Sequence, residues 1–132
     1  MIVLDTHVWV WWLDDSNRLP ARAQHVVRAA ATDRAIYVSA ISSWEIVVLA
    51  SKGRLSFTMD AQDWIARSEA LPFLNFVPVD NAIAIRSVRL SEPFHKDPAD
   101  RIIVATAMIM GAQLVSSDDR MLKYSPVKTI WN

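Results

Sequence analysis

The sequence predicts an α/β fold, a single unit of residues 1–132 with a central, mostly parallel sheet flanked by helices on both faces. Three observations predict it. Short, continuous apolar runs recur along the chain, the pattern of strands covered on both sides. Each run is followed by a stretch of helical periodicity, so strands and helices alternate. Capping and stop residues stand at the junctions, as at Asp97-Pro98 and Gly111.

In order, Met1–Leu4 is a first strand, ended by the polar pair Asp5-Thr6. His7–Asp14 reads as a helix with Trp9, Trp12 and Leu13 on one face and Trp11 off it. Pro20 opens a second helix at its first position, running to about Ala31 with Ala23, Val26, Val27 and Ala30 as its apolar stripe. Ile36–Ser39 is a strand and Ala40–Ser51 a helix. Ser39 and Ser42 are both candidate caps, and Ser42 with Glu45 has the spacing of a capping box. Gly53 ends that helix, and Leu55–Met59 connects to the next. Asp60 caps a helix to Ala70, Phe76–Val79 is a third strand, and Asp80 caps a helix through Leu90. Ser91–Lys96 is a loop. Asp97 is then an N-cap with Pro98 at N1, and the helix runs to Met110, where Gly111 stops it. Leu114–Ser116 is a strand, Asp119–Lys123 a short helix and Lys128–Trp131 an edge strand.

Composition narrows the function. A chain of 132 residues buries roughly two-thirds of its unfolded surface and needs no covalent staple. There is no cysteine, which excludes disulfides and thiolate-bound metals. Zero net charge argues against binding nucleic acid by bulk electrostatics. The two glycines form neither a Walker A loop nor a dinucleotide-binding fingerprint, and no Gly-x-Ser-x-Gly elbow occurs. The N-terminus lacks a basic signal region and the apolar run Ile102–Met110 is too short for a bilayer, so the expectation is a soluble, intracellular protein.

What remains is acidic. In parallel sheets, ligands bind outside the carboxyl ends of the strands. Asp5 and Asp118 fall at such ends, Glu45 in the first turn or so of a helix after a strand, and Asp100 in the first turn after Asp97-Pro98. Each has an ordinary structural reading: Asp5 and Asp97 as caps, Glu45 as a capping-box partner, Asp118 as a turn former. Four acids from four remote segments at one edge is the pattern those readings leave unexplained. Clustered carboxylates repel unless a cation is present, and an all-oxygen ligand set suits Mg²⁺ or Mn²⁺.

The segments Val3-Leu4-Asp5-Thr6-His7, Val38-Ser39-Ala40-Ile41-Ser42-Ser43-Trp44-Glu45-Ile46, Lys52-Gly53-Arg54-Leu55, Phe94-His95-Lys96-Asp97-Pro98-Ala99-Asp100-Arg101 and Leu114-Val115-Ser116-Ser117-Asp118 resemble the PIN-domain family, and within it the VapC-like toxins. The ordered set carries the likeness, which covers essentially the whole chain. The resemblance implies a Mg²⁺- or Mn²⁺-dependent endoribonuclease in the cytoplasm, inhibited by a VapB-type antitoxin over its cleft and commonly homodimeric. It implies that Asp5, Glu45, Asp100 and Asp118 are the metal-binding acids, with Thr6, Ser116 and Asp97 supporting them. Ser116 stands where the family commonly has threonine. Asp119 beside Asp118 is less usual, and the spacing from Ser116 favours Asp118 as the inward residue.

Arg101, Arg120, Lys123, His95, Lys96, Lys52 and Arg54 are candidate RNA contacts, each with the alternative of an ordinary surface charge. Arg101 could also pair with a site acid or a helix neighbour. Trp9, Trp12, Trp44 and Trp64 read as core or half-buried, whereas Trp11 suits a partner surface. Two rival functions are a phosphotransferase with Asp5 as nucleophile and a non-catalytic interaction module or degenerate PIN domain. The first lacks the acid usually needed two positions on, where His7 stands, and a full set of four acids argues against the second. An RNA-processing PIN nuclease that is not a toxin is a further alternative.

Overall fold

The computed structural model describes residues 1–132. Its strands are β1 (Ile2–Leu4), β2 (Ile36–Ser39), β3 (Leu74–Val77), β4 (Gln113–Val115) and β5 (Thr129–Ile130). Its helices are α1 (Thr6–Asp14), α2 (Ala21–Thr32), α3 (Ala40–Ser51), α4 (Ala61–Glu69), α5 (Asn81–Val88), α6 (Pro98–Met110) and α7 (Asp119–Leu122). The strands form one sheet in the order β3-β2-β1-β4-β5, and all neighbours are parallel. The expected mostly parallel sheet is therefore wholly parallel.

From β1 the chain builds outward to β3 on one side, then returns to place β4 and β5 on the other. The direction of winding reverses between β1 and β4. That reversal opens a crevice at the carboxyl ends of the central strands.

The core lies on both faces of the sheet, because successive strand residues point to opposite sides. Ile2, Leu4 and Val115 join the larger apolar cluster with Trp9, Val27, Ile46 and Trp64. Val3 and Leu114 join the smaller one with Ile103, Val104 and Ala107 of α6. Trp9 is fully buried, with its ring 4.9 Å from Trp64 and 5.4 Å from Phe76. Burying a side chain of this size contributes on the order of 2–3 kcal/mol.

Several local expectations shift. Pro20 is the N-cap of α2 in an extended conformation rather than its first residue, and α1 begins at Thr6 rather than His7. Strand β3 starts at Leu74, two residues early, and ends before Pro78, which has no N–H to continue the ladder. Ser39 caps α3, its hydroxyl accepting from the Ile41 N–H at 3.2 Å. Ser42 is buried inside the helix, so the capping box does not form. Glu45 is thereby the sixth residue of α3 rather than part of its first turn.

The tryptophan assignment also changes. Trp44 is 59% exposed, on a face that leaves the sheet. Trp11 is half-buried instead, with its ring 6.0 Å from Trp131 and the Arg18 guanidinium 4.4 Å over its face. No helix is long and apolar enough to cross a membrane.

Candidate active site

Asp5 leaves β1 and caps α1. Its Oδ1 accepts from the Thr6 N–H at 2.8 Å, and its Oδ2 accepts from the Ser116 hydroxyl at 2.7 Å. Ser116 follows β4 and is fully buried. Having given its one proton to Asp5, its oxygen accepts from the Asp118 N–H at 3.0 Å. One hydroxyl thus ties the ends of the two strands at the switch point.

Thr6 makes a second tie. Its buried hydroxyl donates to Glu45 Oε1 at 2.6 Å and lies 2.8 Å from the Ser42 hydroxyl. Ser42 and Glu45 lie one turn apart on α3, so both reach back to the start of α1.

Asp100 enters from α6. Asp97 caps that helix, its Oδ1 accepting from the Asp100 N–H at 3.0 Å, and Pro98 occupies the first turn as expected. The Asp100 carboxylate turns to His95, with Nε2 2.6 Å from Oδ2. Asp118 caps α7 and meets Arg120, whose Nε lies 3.2 Å from Oδ1 and Nη2 2.9 Å from Oδ2. The same Nη2 is 3.8 Å from Asp100 Oδ2.

The electrostatics divide these acids. Burial pushes the Asp5 carboxyl above its ordinary value; the Ser116 hydrogen bond opposes this, and the Asp100 charge adds to it. Glu45 rises from 4.5 to about 7, chiefly through burial, against the Thr6 hydrogen bond and with help from Asp100 and Asp5. Asp100 is raised by burial and by Asp97 and Asp118, while the His95 hydrogen bond pulls the other way. Asp118 alone is lowered, because the Arg120 hydrogen bond outweighs its partial burial.

As the side chains stand, no group of three or more acids or histidines is arranged to hold one ion; each carboxylate is turned to a protein donor. The donor set nevertheless fits a hard divalent cation. It is all oxygen, it comes from four segments, and three of its members have raised proton affinity, through burial first and the charge of neighbouring acids second.

Six of the residues singled out in the sequence are therefore drawn together: Asp5, Thr6, Glu45, Asp100, Ser116 and Asp118. Asp97 stays exposed as a cap, and Asp119 is exposed. Arg101 is neither at the acids nor free for a ligand. It donates to the carbonyls of Ser87 at 2.8 Å, Phe94 at 3.2 Å, His95 at 3.1 Å and Val88 at 3.4 Å. Lys96 is exposed. Arg120 and Lys123 line a hollow of about 420 Å³ with Pro93, Phe94, His95 and Tyr124. His95, read in the sequence as an RNA contact, and Ser42, read as a cap, take places at the acids that sequence reading did not give them. For His95 the available signal was its place five residues before Asp100 across the Asp97-Pro98 cap. For Ser42 the capping-box spacing pointed to a different role.

Residues 2–125 match the family model described as the PIN domain. The chain is 32% identical to Ribonuclease VapC22 of Mycobacterium tuberculosis, over 98% of each chain. Among solved structures it superposes on one in the crystal structure of VapBC2 from Rickettsia felis bound to a DNA fragment from their promoter. The TM-score is 0.74 at 16% identity, over the full length of both chains. A chain of FitAcB from Neisseria gonorrhoeae matches with a TM-score of 0.66 at 22% identity, over 100% of this chain and 97% of that one.

Proposed function

The chain belongs to the PIN-domain family, and from that premise we propose that it is a Mg²⁺- or Mn²⁺-dependent endoribonuclease, the toxin of a VapBC-type toxin–antitoxin pair, with residues 1–132 as one domain. The observation that carries the reading is the acid cluster at the switch point, where Ser116 joins Asp5 to Asp118 and Thr6 joins the same edge to Glu45. The ribonuclease named among its relatives supports the activity, and the toxin–antitoxin complexes among its structural neighbours support the partner.

In this reading Asp5, Glu45, Asp100 and Asp118 hold the metal. A divalent ion held there would offset negative charge on a phosphoryl oxygen and lower the pKa of water. The protein does the rest. Asp5 and Asp118 are fixed through one hydroxyl, so they keep their spacing. Glu45 is hydrogen-bonded at Oε1, which leaves Oε2 to take the proton of a water that attacks phosphorus as the bond to the leaving oxygen breaks, that oxygen taking its proton from solvent. Arg120 and Lys123, which line the hollow beside His95, meet the RNA backbone, and the exposed Lys96 adds a further contact. Arg101 acts by holding the loop rather than the RNA.

Trp44 and Val47 stand exposed on the face of α3 next to Glu45, and this apolar pair is the contact for the antitoxin that covers the cleft. Trp44→Ala should weaken antitoxin binding by about 2 kcal/mol without changing cleavage. Exposed Ile85 and Val88 on α5 suit the homodimer contact. The protein acts in the cytoplasm, where its RNA substrate lies.

Cleavage of a labelled structured RNA, by protein freed of any co-purified partner, tests the activity. Cutting should require Mg²⁺ or Mn²⁺, stop with EDTA and vanish in Asp5→Ala and Asp100→Ala. Cutting that persists in EDTA or in both variants would reject the acid site. No cutting of any RNA class together with no Mn²⁺ binding would favour the interaction module.

A further inference from the structure

We propose that His95 is a positioning residue for the metal site, fixing the Asp100 carboxylate in the orientation in which its other oxygen can meet an ion. The inference rests on the metal-site reading above and deepens it. His95 Nε2 lies 2.6 Å from Asp100 Oδ2, a short bond for a ring N–H and a carboxylate. Both side chains are 16% exposed, so water competes little for the contact.

The ring is packed on one side, and the backbone that carries it is clamped. It lies 4.3 Å from the Phe94 ring, which itself lies 4.8 Å from Tyr124. Arg101 donates to the backbone carbonyls of both Phe94 and His95, and its remaining donors reach the carbonyls of Ser87 and Val88 in the last turn of α5. Arg101 is the next residue after Asp100, so one helical turn carries both the acid and the clamp on the loop that orients it. His95 Nδ1 is buried with no partner. A buried lone pair left unmet costs less than a buried N–H left unmet, so the proton sits on Nε2 and points at Asp100. Asp100 Oδ1 accepts nothing from the protein, and it is the oxygen left for the ion.

Side-chain length provides the test. Glutamine can place an N–H donor near the position of Nε2, whereas asparagine reaches only to that of Nδ1. Phenylalanine keeps the stacking on Phe94 and offers no donor. Mn²⁺ affinity of the full chain would be read by calorimetry, beside the metal-free melting temperature. His95→Phe should stay folded, melting a few degrees below wild type because Asp100 loses a donor, and should bind Mn²⁺ about 10- to 100-fold more weakly. His95→Gln should recover most of that affinity and His95→Asn should not. Wild-type affinity in His95→Phe, or equal affinities in the glutamine and asparagine variants, would overturn the positioning role. A wild type that binds no Mn²⁺, or whose binding survives Asp100→Ala, would overturn the metal site itself and the role with it.

Discussion

The two strand ends joined by Ser116 carry the same residue type and treat it in opposite ways. Asp5 is held by neutral donors, a backbone N–H and a hydroxyl, and burial pushes its proton affinity up. Asp118, one hydrogen bond further along, is paired with the Arg120 guanidinium and its proton affinity goes down. Glu45 and Asp100 side with Asp5. A carboxylate sheltered from water among other carboxylates is costly to keep charged unless a cation is supplied from outside. Three of the four acids stand in that condition, and the fourth has a cation from its own helix. In the proposed function the first three are the principal ligands, and Asp118 contributes less to holding the ion.

The largest expected effect breaks this contrast directly. In single-turnover cleavage, Asp5→Ala and Asp100→Ala should lower the rate by about 10³-fold or more, the scale of losing a positioned charge at the reacting centre. Asp118→Asn should cost only about 10-fold. Equal losses at both ends would remove the distinction.

The next effect is on the metal-free fold. Glu45 has a folded pKa of about 7 against an ordinary 4.5, so its protonation favours folding. That contribution is complete below about 4.5 and is lost as pH rises through about 7; Asp5 and Asp100 act in the same direction. Asp118 acts in the opposite sense, since its depressed pKa gives stability that is lost only as pH falls below its ordinary 3.8. Glu45→Gln should stabilise the metal-free protein at pH 8 by about 1–2 kcal/mol, after allowance for partial exposure, and change little at pH 4.5. Thermal melts of both proteins at the two pH values check this.

A smaller effect belongs to the bridge. Ser116→Ala leaves Asp5 short of a donor and the Asp118 N–H short of an acceptor, so stability should fall by about 1–2 kcal/mol and Mn²⁺ affinity by about 10-fold. Ser116→Thr should restore both, because the hydroxyl is kept. The smallest effect is at Arg120, whose side chain is 59% exposed. Arg120→Ala should leave the melting temperature nearly unchanged while the Asp118 carboxyl, followed by NMR titration, moves back up toward its ordinary value.

The central strands were legible because β1 and β2 are short apolar runs that stop at polar residues, Ile2–Leu4 before Asp5 and Ile36–Val38 before Ser39. Helix α6 was legible to the residue: Asp97 caps, Pro98 follows, and Gly111 stops it at a left-handed φ of 63°. Asp5, Asp100 and Asp118 were legible as strand-end and helix-start residues, whereas Glu45 sits a turn further into α3 than its spacing from Ser42 suggests; their shared edge followed from the parallel topology. What the sequence hid was partnership. Ser42-x-x-Glu45 has a capping-box spacing, yet Ser39 takes the cap, and both residues turn to Thr6, about 40 positions away. Arg101 stands beside Asp100 in sequence, but successive residues on a helix face different ways, and its guanidinium goes to the carbonyls of another segment. Trp44 on a largely apolar helix reads as core; only the packing of α3 shows which face is left outside.

In the proposed function, Asp5, Glu45 and Asp100 await a divalent cation. The direct measurement is the melting temperature at pH 8 with and without Mn²⁺, for wild type and for the Asp5→Asn/Asp100→Asn double variant. Mn²⁺ should raise the wild-type value markedly, by about 3 kcal/mol of stability at 100 times its dissociation constant, and leave the double variant unmoved. An equal shift in both proteins, or none in wild type, would contradict the account.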